Sequence, residues 1–247
     1  MSAARVTFLG AGDAFSAGGH FQSAYLVEGD GTAVLLDCGA SALTALKRLG
    51  LDASGIDTIV LSHLHGDHFA GLPFLFLEYK YQQPRQRPLR IAGPPGTEER
   101  VAQLFGATYR ELVKQPLPFP LEFVELRPDV HTELGAVCLD PFRVPHQEQD
   151  ISLGVRLGVA GSSILYSGDT GWTDTLVRHS QDTDLFVCEC SFFETRMAMH
   201  LDYPRIAENR HRFGTRRLVL THLGEEVLAR RAEIPEELAT EGLVIDL

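Results

Sequence analysis

The sequence predicts a layered α/β fold, and three observations carry that prediction. Strand-like apolar runs alternate with stretches of helical spacing along all 247 residues. Apolar residues make up 44% of the chain and charged residues 22%, the proportions of a protein with a substantial core. No low-complexity tract or internal repeat interrupts the pattern, so residues 1–247 read as one domain. The same composition excludes disorder, collagen and coiled coil as whole-chain readings. No apolar stretch approaches the roughly 20 residues of a membrane span. Met1 to Arg5 runs straight into a strand-like Val6-Thr7-Phe8-Leu9, without the pattern of a signal peptide. A cytoplasmic protein with no membrane partner is the expectation.

In chain order, the first forty residues read as a strand, a glycine-rich loop and a hairpin. The hairpin pairs Ala24-Tyr25-Leu26-Val27 with Ala33-Val34-Leu35-Leu36-Asp37 across a Gly29-Asp30-Gly31 turn. Ser41 to Leu49 has helical apolar spacing and stops at Gly50, a suitable C-cap. Ile59-Val60-Leu61 is a short buried strand. Gly71 to Tyr81 reads as a helix with Pro73 in its first turn. Pro84, Pro88, Pro94 and Pro95 impose loop, short strand and loop over 84–96. Glu98 to Val113 is the next helix. Strands then follow at 155–159, 164–166, 185–187 and 218–220, with helical stretches near 173–180 and 204–213.

Charge and cysteine content narrow the function. Twenty-two basic residues against thirty-three acidic ones leave a net charge of −11, which disfavours a polyphosphate backbone as partner. Cys38, Cys138, Cys188 and Cys190 form no Cys-x-x-Cys pair and read as reduced, buried thiols. Gly10-Ala11-Gly12 after a strand looks like a dinucleotide loop, but position 15 is Phe rather than glycine and no helix clearly follows.

The sharpest feature is Ser62-His63-Leu64-His65-Gly66-Asp67-His68, three histidines and a carboxylate just after a strand. Imidazole and carboxylate in this density suit a borderline divalent metal. A loop leaving a strand end can aim alternate side chains into one cavity, letting His63 and His65 share an ion while Asp67 and His68 reach another. The same local order recurs three times: Phe142-Arg143-Val144-Pro145 before His146, Ile164-Leu165-Tyr166-Ser167-Gly168 before Asp169, and Leu218-Val219-Leu220-Thr221 before His222. Open α/β sheets gather their sites at strand ends. A lone histidine after a strand is more often structural, but a second ion would need further donors, and these stand in equivalent places. His20 reads as a surface residue, and His131, His179 and His211 as solvated ones.

Taken together, these residues resemble the metallo-β-lactamase superfamily along essentially the whole chain. His63-x-His65-x-Asp67-His68, His146, Asp169 in Ser-Gly-Asp-Thr, and His222 in Leu-Thr-His match its metal motifs in order. The resemblance implies a four-layer αβ/βα sandwich with the site at one edge of its two sheets. It implies two divalent ions, zinc first and manganese or iron as alternatives. One ion would sit on His63, His65 and His146, the other on Asp67, His68 and His222, with Asp169 bridging. An acid at 169, where true β-lactamases carry cysteine, disfavours antibiotic hydrolysis. Phe8-Leu9-Gly10-Ala11-Gly12-Asp13-Ala14-Phe15, Gly71-Leu72-Pro73 and Cys190-Ser191-Phe192-Phe193 followed by His200 resemble the ribonuclease Z-like phosphodiesterase branch. That branch implies catalytic roles for Asp67 and His200, with Glu189 orienting His200, and a homodimer, which the apolar stretch 72–79 would allow. His20-Phe21-Gln22 replaces the Arg-Asn pair usual in ribonuclease Z, and the interval from His146 to Asp169 leaves room for a hairpin but no tRNA-gripping arm. The expected activity is hydrolysis of small or cyclic phosphoesters by a hydroxide shared between the ions. The alternatives are tRNA 3′-processing, or hydrolysis of an aryl sulfate, lactone or thioester.

Overall fold

Period-two alternation decides which way each strand of this protein faces. The computed structural model describes residues 4–247; Met1–Ala3, the start of the segment read above as leading into the first strand, lie outside the described residues. Six strands come first: Arg5–Gly10 (β1), Ala24–Gly29 (β2), Thr32–Leu36 (β3), Thr58–Val60 (β4), Leu89–Gly93 (β5) and Leu121–Glu125 (β6). Seven more follow as Thr132–Leu134 (β7), Val137–Val144 (β8), Ser152–Val159 (β9), Ser162–Tyr166 (β10), Thr183–Glu189 (β11), Thr215–Thr221 (β12) and Glu237–Leu238 (β13). Val244–Asp246 (β14) returns to pair with β1. The result is two seven-stranded mixed sheets, ordered β14-β1-β2-β3-β4-β5-β6 and β13-β12-β11-β10-β9-β8-β7.

Alternate residues of the same strands serve two different cores. Tyr25, Val27, Val34 and Leu36 of the first sheet meet Val155, Leu157, Ile164, Tyr166 and Val187 of the second in the layer between the sheets. Their neighbours Leu26, Leu35, Ile59 and Ile91 face outward onto helices Ala42–Arg48 (α1), Leu72–Leu77 (α3) and Thr97–Thr108 (α4); α2 is the single turn Gly66–Phe69. Leu165, Phe186, Cys188 and Leu220 do the same beneath Asp174–His179 (α5), Tyr203–Asn209 (α6) and Glu225–Ala229 (α7). Helix, sheet, sheet, helix is the layered α/β fold that the pattern predicts, in the αβ/βα sandwich form that the resemblance implies. Burial on both faces explains why the strands read as near-continuous apolar runs.

Three local differences have physical causes. The expected helix 98–113 stops at Thr108 because Tyr109 leaves helical backbone (φ −135°, ψ 64°) and the residues beyond it close separate turns, Leu112 N donating to Tyr109 O and Gln115 N to Leu112 O. The loop expected through 63–68 contains the turn α2, with His65 as its N-cap, and so sets Asp67 and His68 side by side. The short strands β6 and β14 are partly exposed, so their apolar signal is weak and pairing alone defines them. His20 and His179, read as surface and solvated, are half-buried: His20 pairs with Glu241, and His179 stacks on Phe142 with 3.9 Å between centroids. Of the stretch 72–79, Leu72, Leu75, Phe76 and Tyr79 belong to the core, and Phe74 is exposed. No helix of the described residues is long and apolar enough to cross a membrane.

Strand direction is what positions the site. Strands β1, β3 and β4 run one way in the first sheet, and β8, β10, β11 and β12 run one way in the second. Each of these seven delivers its following loop to the same edge.

Candidate metal centre

Three of the predicted donors come together first. His63 and His65 follow β4 and His146 follows β8, and their ring nitrogens lie within 4.8 Å of one another. His65 Nδ1 stands 3.1 Å from His63 Nε2 and 3.0 Å from His146 Nε2. A second group gathers Asp67, His68, Asp169 and His222 within the same limit. Asp67 Oδ2 is 3.2 Å from His68 Nε2 and 3.3 Å from His222 Nε2. Asp169 lies between the groups. Its Oδ1 is 3.3 Å from His68 Nε2, while its Oδ2 is 3.3 Å from His222 Nε2 and 3.8 Å from both His63 Nε2 and His146 Nε2. Gly168, at φ 57°, makes this turn; a side chain there would strike the Leu153 carbonyl.

The buried histidines are aimed by what they hold behind them. His63 Nδ1 meets Ser62 Oγ at 3.0 Å, His68 Nδ1 meets Asp37 at 2.7 Å, His146 Nδ1 meets Met199 O at 2.9 Å, and His222 Nδ1 meets Ser191 Oγ at 2.9 Å. In all four, Nε2 is the nitrogen left facing the centre, the arrangement that second-layer hydrogen bonds impose on metal-binding imidazoles. His65 is the exception, presenting Nδ1 inward while Gln147 Nε2 donates to its Nε2 at 2.9 Å.

Whether these groups fit a metal is tested by two features. Buried polar atoms are normally satisfied, yet His68 Nε2 and Asp169 Oδ1 are buried side-chain atoms without a hydrogen-bond partner among the described residues. They face each other in the middle of the cluster. In addition, two nitrogens on one tetrahedral zinc at about 2.0–2.1 Å stand roughly 3.3 Å apart, close to the donor separations given above. The donor set fits a pair of divalent ions.

Electrostatics agree. Burial disfavours charge on every group here. It pulls His63 well below the ordinary histidine value, with His68 adding to the effect. Against the same burial, Asp169 and Asp37 hold His68 well above that value, and Asp169 with Asp67 raises His222 to about 9. Against their own desolvation, the carboxyl of Asp67 is lowered by the hydrogen bond from His222 and the charge of His68, and that of Asp169 by the charges of His222 and His68. Protons on imidazoles and bound cations are alternative ways of balancing the same two carboxylates.

Residues that sequence reasoning passed over complete the centre. Asp37, fully buried at the end of β3, accepts from Ser62 N and Ser62 Oγ at 2.7 Å each, from His68 Nδ1 at 2.7 Å and from Tyr166 Oη at 2.6 Å. Its signal was present: Leu35-Leu36-Asp37 is one more strand followed by a donor. Ser191 joins two of the expected residues, accepting from His222 and donating to Glu189 Oε2 at 2.7 Å. Glu189 also accepts from His200 Nδ1 at 3.1 Å and from the Thr170 amide. Although burial pulls His200 down, Glu189 raises it above the usual value. Both Asp37 and His222 stand on left-handed backbone (φ 54° each), an arrangement concentrated at functional sites. A cavity of about 490 Å³ opens here, lined by Asp67, His146, Asp169, His200 and His222 among others.

The family model for anti-Pycsar protein Apyc1 matches residues 4–240. The chain belongs to that family. Among curated relatives, ribonuclease Z of Methanosarcina acetivorans is 26% identical, over 89% of this chain and 87% of its own. The crystal structure of the metallo-β-lactamase fold protein YhfI from Bacillus subtilis superposes with a TM-score of 0.80 at 22% identity over 100% of both chains. Human short-form tRNase Z gives 0.79 at 26% identity over 98% of both. This Apyc1-family chain is therefore a metal-dependent hydrolase of the metallo-β-lactamase superfamily, on its ribonuclease Z-like and phosphodiesterase branch.

Proposed function

We propose that the chain is a dinuclear phosphodiesterase acting on small or cyclic phosphoesters. The observation that carries the reading is Asp169, set between a three-histidine group and an Asp67-His68-His222 group at the floor of an open cavity. His63, His65 and His146 would hold one ion and Asp67, His68 and His222 the other, with Asp169 shared. When bound, two divalent ions, zinc for this imidazole-rich set, with manganese and iron as alternatives, supply an activated water near neutral pH and neutralise phosphoryl charge. Their charge outweighs Asp67 and Asp169, so the floor attracts an anionic ester in an otherwise acidic protein.

The chain's own groups divide the remaining work. Asp67 lines the cavity and accepts the proton of the attacking water as the new P–O bond forms. His200 also lines it, with its Nδ1–H given to Glu189, so its other nitrogen is the one available to the ester. It either protonates the leaving oxygen as the old P–O bond breaks or holds a non-bridging oxygen. Glu189 is a positioning residue that acts through His200 and, by Ser191, through His222.

The interval from His146 to Asp169 is filled by β9 and β10, joined at Ala160-Gly161, and holds no projecting arm. That supports a small ester over tRNA. The relatives named ribonuclease Z support the second reading, RNA 3′-processing. A homodimer is proposed, with the exposed Phe74 and Tyr81 on its face, and light scattering tests it. The deciding experiment assays the zinc-, manganese- and iron-loaded protein on bis(p-nitrophenyl) phosphate, an aryl sulfate, a lactone, a thioester and a precursor tRNA. Highest kcat/KM on the phosphodiester is expected. Preference for any of the others overturns the proposal.

A further inference from the structure

The cavity mouth carries an aromatic ring with no structural employment. Phe15 is 89% exposed, the most of any large apolar residue described, and it lines the same cavity as the metal-motif residues. A phenylalanine left in water forgoes the free energy of burial, and a mobile loop could fold it away. This loop is tied down. Asp13 Oδ1 accepts from the Phe15 and Ala17 amides at 3.0 and 3.1 Å, Gly18 N donates to Glu225 at 3.0 Å, and Gln22 Nε2 donates to Ser16 Oγ at 3.1 Å. Ser16 itself takes φ 57°, which fixes the turn that presents the ring.

The rest of the mouth says what the ring meets. Met199, 43% exposed, and the half-buried Phe192 share the lining. Glu148 and Asp150 stand exposed on the rim, and no lysine or arginine is among the lining residues. A substrate with further phosphates finds no cation beyond the floor, so recognition above the reacting phosphate falls to the aromatic and apolar surface of Phe15, Phe192 and Met199 and to neutral polar groups such as Gln147 and Gln149. We infer that Phe15 is a specificity-determining residue, a fixed platform on which a flat aromatic group of the ester stacks. The inference rests on the phosphoester reading above.

The test is calorimetric binding of adenosine 5′-monophosphate and ribose 5-phosphate to the zinc-loaded protein, two ligands that differ by the flat base alone. Stacking of a base on an aromatic side chain corresponds to roughly 5- to 150-fold in affinity. Phe15→Ala should therefore lower the preference for the nucleotide by that factor, with ribose 5-phosphate binding unaltered, and Phe15→Trp should keep it. Equal binding of the two ligands by the unmutated protein, or a preference that Phe15→Ala leaves intact, overturns the inference. Loss of ribose 5-phosphate binding in Phe15→Ala also overturns it, since the ring would then act on the floor. Turnover of bis(p-nitrophenyl) phosphate by the unmutated protein judges the phosphodiesterase reading separately.

Discussion

Replacing Asp37 by asparagine probes the centre from behind, because Asp37 lines no part of the cavity yet one of its oxygens accepts from Ser62 Oγ, His68 and Tyr166 together. Asparagine is isosteric, so no cavity is created, but it has one acceptor oxygen where the carboxylate has two. If that oxygen stays with the Ser62 amide, the new NH₂ confronts three donors. Two are hydroxyls that can turn away, and the third, His68 Nδ1–H, cannot. One orphaned buried donor costs about 1–3 kcal/mol, and losing charge assistance on the other bonds adds about 1 kcal/mol or more. A stability loss of about 2–4 kcal/mol or somewhat more follows, overlapping the range for breaking a buried charged pair. With no acceptor at Nδ1, neutral His68 can carry its proton on Nε2, the nitrogen that faces Asp67 and Asp169. Metal affinity should fall about 10- to 100-fold, the usual cost of losing such a partner. Urea denaturation measures the first effect, and metal analysis after dialysis against a graded chelator measures the second. Unmutated metal affinity together with a loss under about 1 kcal/mol would refute the reasoning.

Asp169→Ala should release at least one ion, because both donor groups lose their shared oxygen; two ions retained on metal analysis would remove its bridging role. For His200→Ala, turnover of bis(p-nitrophenyl) phosphate should drop by about 10²–10⁴ while metal content holds. Loss of metal would instead make His200 a ligand. Glu226 accepts from the Thr195 hydroxyl, chiefly, and from the amides of Thr195, Glu194 and Phe193, which together lower its carboxyl from 4.5 to about 2. A lowered acid stabilises the fold above its unfolded value and ceases to as pH falls toward the folded one. Glu226→Gln should therefore shift the urea midpoint by a constant amount from neutral pH down to 4.5, with the difference shrinking below it. A shift that does not vary with pH would show that the charge plays no part. Lysine at positions 148 and 150 should raise activity on a single-stranded oligonucleotide relative to bis(p-nitrophenyl) phosphate and steepen its salt dependence. An unchanged ratio would mean the rim carboxylates do not filter polyanions.

The layered fold and the strand-end positions of the candidate donors were legible in the chain because both are written locally. Alternating apolar residues specify a strand buried on two faces, and a histidine or aspartate just past such a strand needs only one further turn to reach the sheet edge. Boundaries and short edge strands were less legible. The helix from Thr97 ends where Tyr109 leaves helical backbone, which no residue type there announces, and β6 and β14 exist only through their pairing partners.

By itself, the sequence determined that His63, His65, Asp67, His68, His146, Asp169 and His222 all stand at loop positions able to carry donors. Tertiary structure alone decided the distances between them and which groups hold them from behind. Asp169 reaches both sets because β10 ends beside β11 in one sheet, opposite the end of β4 in the other. Asp37 and Tyr166 lie 129 positions apart and share a hydrogen bond between the sheets, a contact no local pattern encodes. Distance along the chain carries no information about such pairs, since folding free energy is set by which surfaces pack and not by how near their residues lie in sequence.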